Sequence, residues 1–259
     1  MPSFKSIVTD VIKKSDVILE ILDARFIDET RNKKLEFTIK NKGKILIHVI
    51  NKCDCVDKGY MDEAKKRFEN CVFVSAKKRL GTNLLIQKIK ILASKKKIKR
   101  PIVGVVGYPN VGKSSVINLL KGGGSAKISS EAGYTKGKQY LRISRDILMI
   151  DTPGVIAKDM TDKQDLVLIG AENPSLIKDP DLAVIELIES YPGLIEKKYG
   201  VKIQEDREAV IEGIALKFNM KKRGGLPDIE RASKMILHDW INGKISQAQA
   251  VTKHIKFQI

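Results

Sequence analysis

Over the first 150 residues of this 259-residue chain, short apolar runs alternate with amphipathic stretches. That is the pattern of buried parallel strands joined by crossover helices. Ile7, Val8, Val11 and Ile12 fall on one helical face and lead into Lys13 and Lys14, which suit a helix C-terminus. The nearly apolar run 16–22 predicts a first strand, 28–34 a loop, 35–42 a helix closed by Gly43, and 44–50 a second strand. A helix over 60–68, a strand over 71–74 and a helix marked by Leu84, Leu85, Ile89 and Leu92 follow. Residues 102–106 read as another buried strand and 115–120 as the helix after it, while 139–143 and 147–150 suit a hairpin. Beyond about residue 173 the spacing becomes helical throughout, over 181–190, 206–218 and 228–243. Val210, Ile211, Ile214, Ala215 and Phe218 share one face there, and Ile229, Ala232, Ile236, Leu237 and Trp240 suit a core. The expected architecture is a doubly wound α/β domain with a mostly parallel sheet over 1–170, followed by a small all-α domain over 171–259.

The 102–106 strand runs into Gly107-Tyr108-Pro109-Asn110-Val111-Gly112-Lys113-Ser114, which reads G-x-x-x-x-G-K-S. This is a P-loop. Its backbone N–H groups, from Asn110 through Val111 and Gly112 to Ser115, suit a phosphate cradle, Lys113 reaches the terminal phosphates, and the Ser114 hydroxyl is offered to Mg²⁺. The dipole of the following helix favours the same anions. After the hairpin comes Asp151-Thr152-Pro153-Gly154, a D-x-x-G element in which Asp151 would hold Mg²⁺ through water and the Gly154 N–H would face the γ-phosphate. In the loop 131–136, Thr135 is the candidate switch threonine, completing the Mg²⁺ shell only when γ-phosphate is present.

The second strand empties into Asn51-Lys52-Cys53-Asp54, at a strand end where open α/β sheets bind ligands. N-K-x-D there suits a guanine reader. Asp54 can accept from the N1–H and the exocyclic amine, Asn51 braces the loop, and the stem of Lys52 packs on the ring. By itself the tetrapeptide is equally an ordinary turn. One β-α step later, Ser75-Ala76-Lys77 would present backbone N–H groups to the guanine O6. Base-reading motifs therefore precede phosphate-reading ones, the reverse of an unpermuted GTPase, and this order is that of a circular permutation. Because a crossover helix ends near where a neighbouring strand begins, the join across 93–101 needs little chain.

Lys and Arg number 48 against 31 Asp and Glu, giving a net charge of +17 and a pI near 9.6. Such a surplus points to a polyanionic partner, the alternative being a Lys-rich solvated surface. The run 93–100 is a basic connector that suits either solvent or RNA, and Lys217, Lys221, Lys222, Arg223, Arg231, Lys234 and Lys244 suggest a phosphate-tracking face. No targeting segment or membrane span is legible, so a cytoplasmic protein is expected. Cys53, Cys55 and Cys71 are expected to be reduced and structural. Zinc is not expected, since the three histidines, His48, His238 and His254, are scattered.

Together these motifs resemble the circularly permuted ribosome-assembly GTPases, the YlqF/RbgA family and its archaeal and eukaryotic relatives. Asp23-Ala24-Arg25 with Thr30-Arg31-Asn32 and Gly133-Tyr134-Thr135 add to the likeness, and Gly224-Gly225-Leu226-Pro227-Asp228, Arg231-Ala232 and 239–244 are similar to the family's C-terminal module. The resemblance implies Mg²⁺-dependent hydrolysis of GTP to GDP, slow without the ribosome and coupled to maturation of the large ribosomal subunit, with rRNA as the docking surface; separately, a monomer is expected. Asn110 resembles the asparagine of cation-activated GTPases, which implies stimulation by K⁺. Val155 stands where a Ras-like enzyme places its water-positioning glutamine. Family members carry a histidine in an N-terminal leader, whereas here no histidine precedes His48, and the catalytic group is left unassigned. A passive, nucleotide-sensing RNA-binding protein is the alternative. An ATP-using kinase would leave N-K-x-D idle.

Overall fold

The computed structural model describes residues 4–122, 140–150 and 178–245, with side chains from Ile7 onward. These divide into two compact units. One carries the sheet and every element up to residue 150 apart from Cys55–Asp57, and the other carries that short segment and residues 178–245.

In the first unit, β1 (Val17–Asp23) and β2 (Ile45–Asn51) are buried at all seven positions, which is why their sequences read as continuous apolar runs rather than alternating ones. With β3 (Cys71–Phe73), β4 (Ile102–Val106), β5 (Tyr140–Ser144) and β6 (Ile147–Ile150) they form one sheet in the order β3-β2-β1-β4-β6-β5. All neighbours are parallel except β5, which pairs antiparallel with β6 as the expected hairpin. The chain leaves β1 toward β2 on one side, and β4 lies on the other. The strand order reverses there, and in α/β sheets such a point gathers ligand-binding loops at the carboxyl ends. The register sets Asp23 beside Asn51.

Helix α1 (Phe4–Lys14) covers this switch point by close approach. A Cβ added at Gly104 on β4 would lie 2.4 Å from Ser15 Oγ and 2.6 Å from Val11 Cγ1. Val8, Val11, Ile12, Ile18, Leu46 and Val106 pack there with Ile39 of α2 (Lys33–Asn41). Each such side chain contributes about 1.5–3 kcal/mol by burial.

A polar knot interrupts that core. Glu20 and His48 are cross-strand partners, 1% and 6% exposed. Glu20 Oε1 accepts from the Asn32 backbone N–H at 2.9 Å, and Arg31 forks onto Glu36 with two bonds of 2.8 Å. His48 Nε2 lies 3.4 Å from a carboxylate oxygen of each glutamate, and its ring packs on Phe68 with centroids 4.6 Å apart. Burial pushes the Glu20 carboxyl up to about 8. Burial opposes ionisation of Glu36 too, yet Arg31 and His48 hold that carboxyl down to about 2.

Helix α3 (Lys58–Lys66) links β2 to β3, and α4 (Thr82–Lys95) links β3 to β4. Residues 93–95, expected in the basic connector, belong to α4 instead, because Ala93 is buried and extends the Leu85–Ile89 stripe by one more turn. Leu84, expected on the apolar face, is 63% exposed, since Leu85 takes the inward position one residue on. Cys53, Cys55 and Cys71 form no disulfide among the described residues.

The second unit comprises α6 (Pro180–Ser190), α7 (Leu194–Tyr199), α8 (Arg207–Lys217) and α9 (Ile229–Ile241), numbered after α5 (Lys113–Gly122) of the P-loop. Asp206 caps α8 by accepting from Glu208 N and Ala209 N, and Asp228 caps α9 by accepting from Arg231 N. Trp240 is fully buried against Tyr191, with centroids 5.2 Å apart. The expected basic face of this unit is smaller than its sequence suggests. Lys217 donates to the Tyr199 and Gly200 carbonyls at 2.8 Å, closing α7, while Lys234 is paired with Glu230 and Lys244 with Asp239. Lys221, Lys222, Arg223 and Arg231 remain exposed. Among the described residues no helix is long and apolar enough to cross a membrane.

Candidate nucleotide-binding site

Asn51 stands where the two halves of the site meet. Its Nδ2 donates to the Val111 carbonyl of the P-loop at 2.9 Å, and its Oδ1 accepts from the Ala76 backbone N–H at 3.1 Å. One buried amide thus ties β2, the 75–77 turn and the P-loop together, across sixty residues of sequence. The fit leaves no room at Gly112, whose φ is +95°. A Cβ there would sit 2.2 Å from Asn51 Nδ2. Glycine is required at that position both by conformation and by contact.

Asp54, in the helical turn Cys53–Cys55, accepts from the Ser75 hydroxyl at 2.6 Å, and Ser75 Oγ in turn accepts from the Lys78 N–H at 3.1 Å. A carboxylate so oriented keeps its other oxygen available as an acceptor. Ala76 is half-buried and Lys77 exposed beside it. A hollow of about 610 Å³ opens along this turn and α5, lined by Ala76, Thr82, Ser115 and Asn118 among others, a size in the range of small-molecule sites.

Lys52 has a role that the sequence reading missed. Its φ of +62° turns the side chain back, and Nζ lies 2.8 Å from Asp23 Oδ2 at the end of β1. Asp23 also accepts from Arg25 at three points: backbone N and Nε at 3.0 Å, and Nη2 at 2.7 Å. Its own N–H donates to Thr30 Oγ1. The Asp23–Arg25 pair is fully buried. Burial alone would raise the Asp23 carboxyl, but Arg25 and then Lys52 hold it down to about 2. The signal was available, since paired ends of adjacent parallel strands set Asp23 next to the residue before Lys52.

In the P-loop, Asn110 takes a φ of +57° and is exposed, while Val111 is fully buried. Lys113 opens α5 and is 7% exposed, with its ammonium donating to the Tyr108 carbonyl. Burial pushes Lys113 down to about 8, and an anion beside it would draw it back up. Ser114 and Ser115 are exposed in the first turn of α5. Of the expected metal-binding residues, Ser114 is thus placed at the loop, and Thr135 and Asp151 lie outside the described residues, as does Gly154.

Residues 102–238 match the family described as 50S ribosome-binding GTPase. The match starts at the P-loop strand in mid-chain, with the base-reading half ahead of it. An uncharacterized GTP-binding protein of Methanocaldococcus jannaschii is 44% identical over 250 residues, covering 93% of this chain and 66% of that protein. Nuclear/nucleolar GTPase 2 of Arabidopsis thaliana is 35% identical over 244 residues, covering 91% of this chain and 42% of that protein. The chain therefore spans from under half to about two thirds of the length of these relatives. Among solved structures, GNP-bound YlqF from T. maritima superposes with a TM-score of 0.68 at 24% identity, over 94% of this chain and 95% of its own, and shares the permuted P-loop fold.

Proposed function

The chain belongs to the 50S ribosome-binding GTPase family, and on that premise we propose that it binds and hydrolyses GTP while docked on rRNA, coupling nucleotide state to maturation of the large ribosomal subunit. The observation that supports this best is the double hydrogen bond of Asn51, which brings a guanine-type reader against a P-loop. In this reading Asp54, oriented by Ser75, accepts from the guanine N1–H and amine. Lys52, anchored by Asp23, lays its stem along the base, and the Ala76 and Lys77 N–H groups meet O6. Backbone N–H groups from Asn110 to Ser115 cradle the phosphates, with Lys113 drawn from the Tyr108 carbonyl onto them. Mg²⁺, held by Ser114 with Thr135 and Asp151, would supply charge that offsets the negative charge developing on the phosphate oxygens, and Gly154 would face the γ-phosphate.

The described residues leave the group that positions water unassigned. The domains 1–170 and 171–259 would act as nucleotide engine and rRNA reader, the latter through Lys221, Lys222, Arg223 and Arg231. A monomer working beside assembling subunits is the proposed state. Its compartment is then that of assembly, which the plant relatives' names place in the nucleus or nucleolus. The cytoplasm is the proposal where no nucleus exists.

The test is Asp54→Asn. Xanthine has a C2 carbonyl where guanine has its amine, so the variant should lose GTP by about 10⁴ and gain xanthosine triphosphate. Unchanged GTP affinity refutes the base assignment. Phosphate release measured with and without large subunits then separates a turnover enzyme from a passive sensor: no release in either condition favours the sensor. K⁺ at Asn110 is tested by the same release in matched KCl and NaCl, where equal rates remove it.

A further inference from the structure

Between Glu69 and Glu131 the chain has no acidic residue, yet it holds thirteen lysines and arginines. Ten of them lie between Lys77 and Arg100, in the base-reading turn, α4 and the connector to β4. All are exposed except the half-buried Lys88. Some surface cations elsewhere have carboxylate partners, as in Lys66–Glu63, Arg67–Asp28, Lys234–Glu230 and Lys244–Asp239. Among the described residues no ion pair engages any of these ten. Lys96 donates to the Gly43 carbonyl at 2.6 Å.

They are spread along α4 and cluster at its two ends, and this basic stretch is called the strip below. Helix α4 is fourteen residues long, about 21 Å. Lys77, Lys78 and Arg79 stand at its amino end, Lys88 and Lys90 along it, and Lys95, Lys97, Lys99 and Arg100 at its carboxyl end. At that last end a hollow of about 360 Å³ is bordered by Lys90, Ser94, Lys97 and Lys99, with Asp146 on its rim. A helix C-terminus attracts cations, so Lys95 to Lys97 are also favourably placed for α4 itself. That accounts for one turn, not for the further cations before and after it.

We infer that this strip binds the phosphate backbone of RNA, giving the nucleotide-binding unit an RNA contact of its own, separate from the basic residues of the helical unit. A polyphosphate offers evenly repeated charge over tens of ångströms, which cations at both ends of α4 with no acidic residue between them match without specific pockets. The apolar side chains exposed on α4, Leu84 and Ile91, are too few to form a hydrophobic protein interface. Because the strip begins within the 75–79 turn that carries Ser75 and Ala76, bound RNA and bound base would be held by one rigid element. The inference rests on the ribosome-assembly reading for its partner, but is tested apart from it.

The experiment compares the full chain with its Lys95→Gln/Lys97→Gln/Lys99→Gln variant, and with a control carrying Lys221→Gln/Lys222→Gln/Arg223→Gln. Each is titrated, at several salt concentrations, against protein-free rRNA and against intact large subunits, with GDP affinity measured in parallel. The strip variant should keep its GDP affinity and bind rRNA at least tenfold more weakly. Its log K against log salt slope should be shallower by about two to three, near one per lost phosphate contact. Wild-type rRNA affinity and slope in that variant overturn the inference while leaving the assembly reading standing if subunits are still bound. A defect confined to intact subunits also overturns it, and points to an acidic protein. Strip-dependent binding of rRNA without binding of subunits supports the strip and sinks the assembly reading.

Discussion

Replacing Asp23 by Asn removes the carboxylate that Arg25 meets at 2.7 Å in a fully buried ion pair. The native environment holds the Asp23 carboxyl at about 2, against 3.8 for the free group, even though burial works the other way. A difference of nearly two pH units corresponds to roughly 2.5 kcal/mol in favour of the charged form. Stranding one member of a buried pair costs more, about 3–5 kcal/mol, because the remaining guanidinium stays desolvated. The amide keeps one oxygen for the Arg25 N–H groups, so a loss near 3 kcal/mol is expected, survivable within the 5–15 kcal/mol of an ordinary domain. The second effect falls on function: Lys52 loses the carboxylate that holds Nζ at 2.8 Å, and GDP affinity should drop by about tenfold. Urea denaturation reads the first and nucleotide titration the second. A double variant, Asp23→Leu with Arg25→Met, should recover most of the stability without recovering the affinity, since it leaves no buried guanidinium and Lys52 is partly exposed. A stability loss below about 1 kcal/mol in Asp23→Asn, with GDP affinity unchanged, would refute both halves of the argument. In acid the same contribution should vanish in a defined window: present above pH 4, it is lost as pH falls toward 2, because the unfolded carboxyl takes up a proton first.

Gly112→Ala should weaken GDP binding by at least a hundredfold while leaving the sheet folded by circular dichroism, because its Cβ would displace the Asn51 amide; near-normal affinity would show that the amide has room to move. Lys113 is held at about 8, and phosphate would favour its charged form, so GDP affinity should be flat at neutral pH and fall as pH rises through 8, by up to tenfold per unit. Affinity flat to pH 9.5 by fluorescence titration would contradict this. Glu20 has a raised folded value of about 8, so the native state keeps a proton that the unfolded chain releases near 4.5. Its contribution is full below that value and declines as pH rises to 8, and Glu20→Gln should flatten the decline in denaturation midpoints between pH 5 and 8, whereas parallel profiles for the two proteins would argue against a protonated Glu20.

How much of this was legible in the sequence depends on the range of the contact. The strands could be read because a strand buried on both faces is written as an apolar run, and Val17–Asp23 and Ile45–Asn51 are such runs. The P-loop was legible because phosphate binding constrains consecutive residues. Helix α7 was not, being six residues long and bounded by Gly193 and Gly200 with no side-chain N-cap. Pairings between distant residues were invisible: Lys217 reads as a surface cation until its partner carbonyls at 199 and 200 are placed beside it. The Lys52–Asp23 contact lies between, since it follows from the register of two strands that pattern alone could locate but not align.

The pairing of β1 with β4 joins residues far apart in the order of synthesis, and the Asp16 side chain meets the Ile102 N–H across eighty-six residues. A nascent chain therefore emerges with its base-reading strands β1, β2 and β3 complete well before the P-loop strand exists. Domains fold as units during synthesis, and parallel pairing over long loops is slow. Asn51 gains one of its partners, Ala76, early and the other, Val111, only when β4 slots in beside β1. During translation the chain thus passes through a stage with a reader and no grip, and the arrival of β4 ends it.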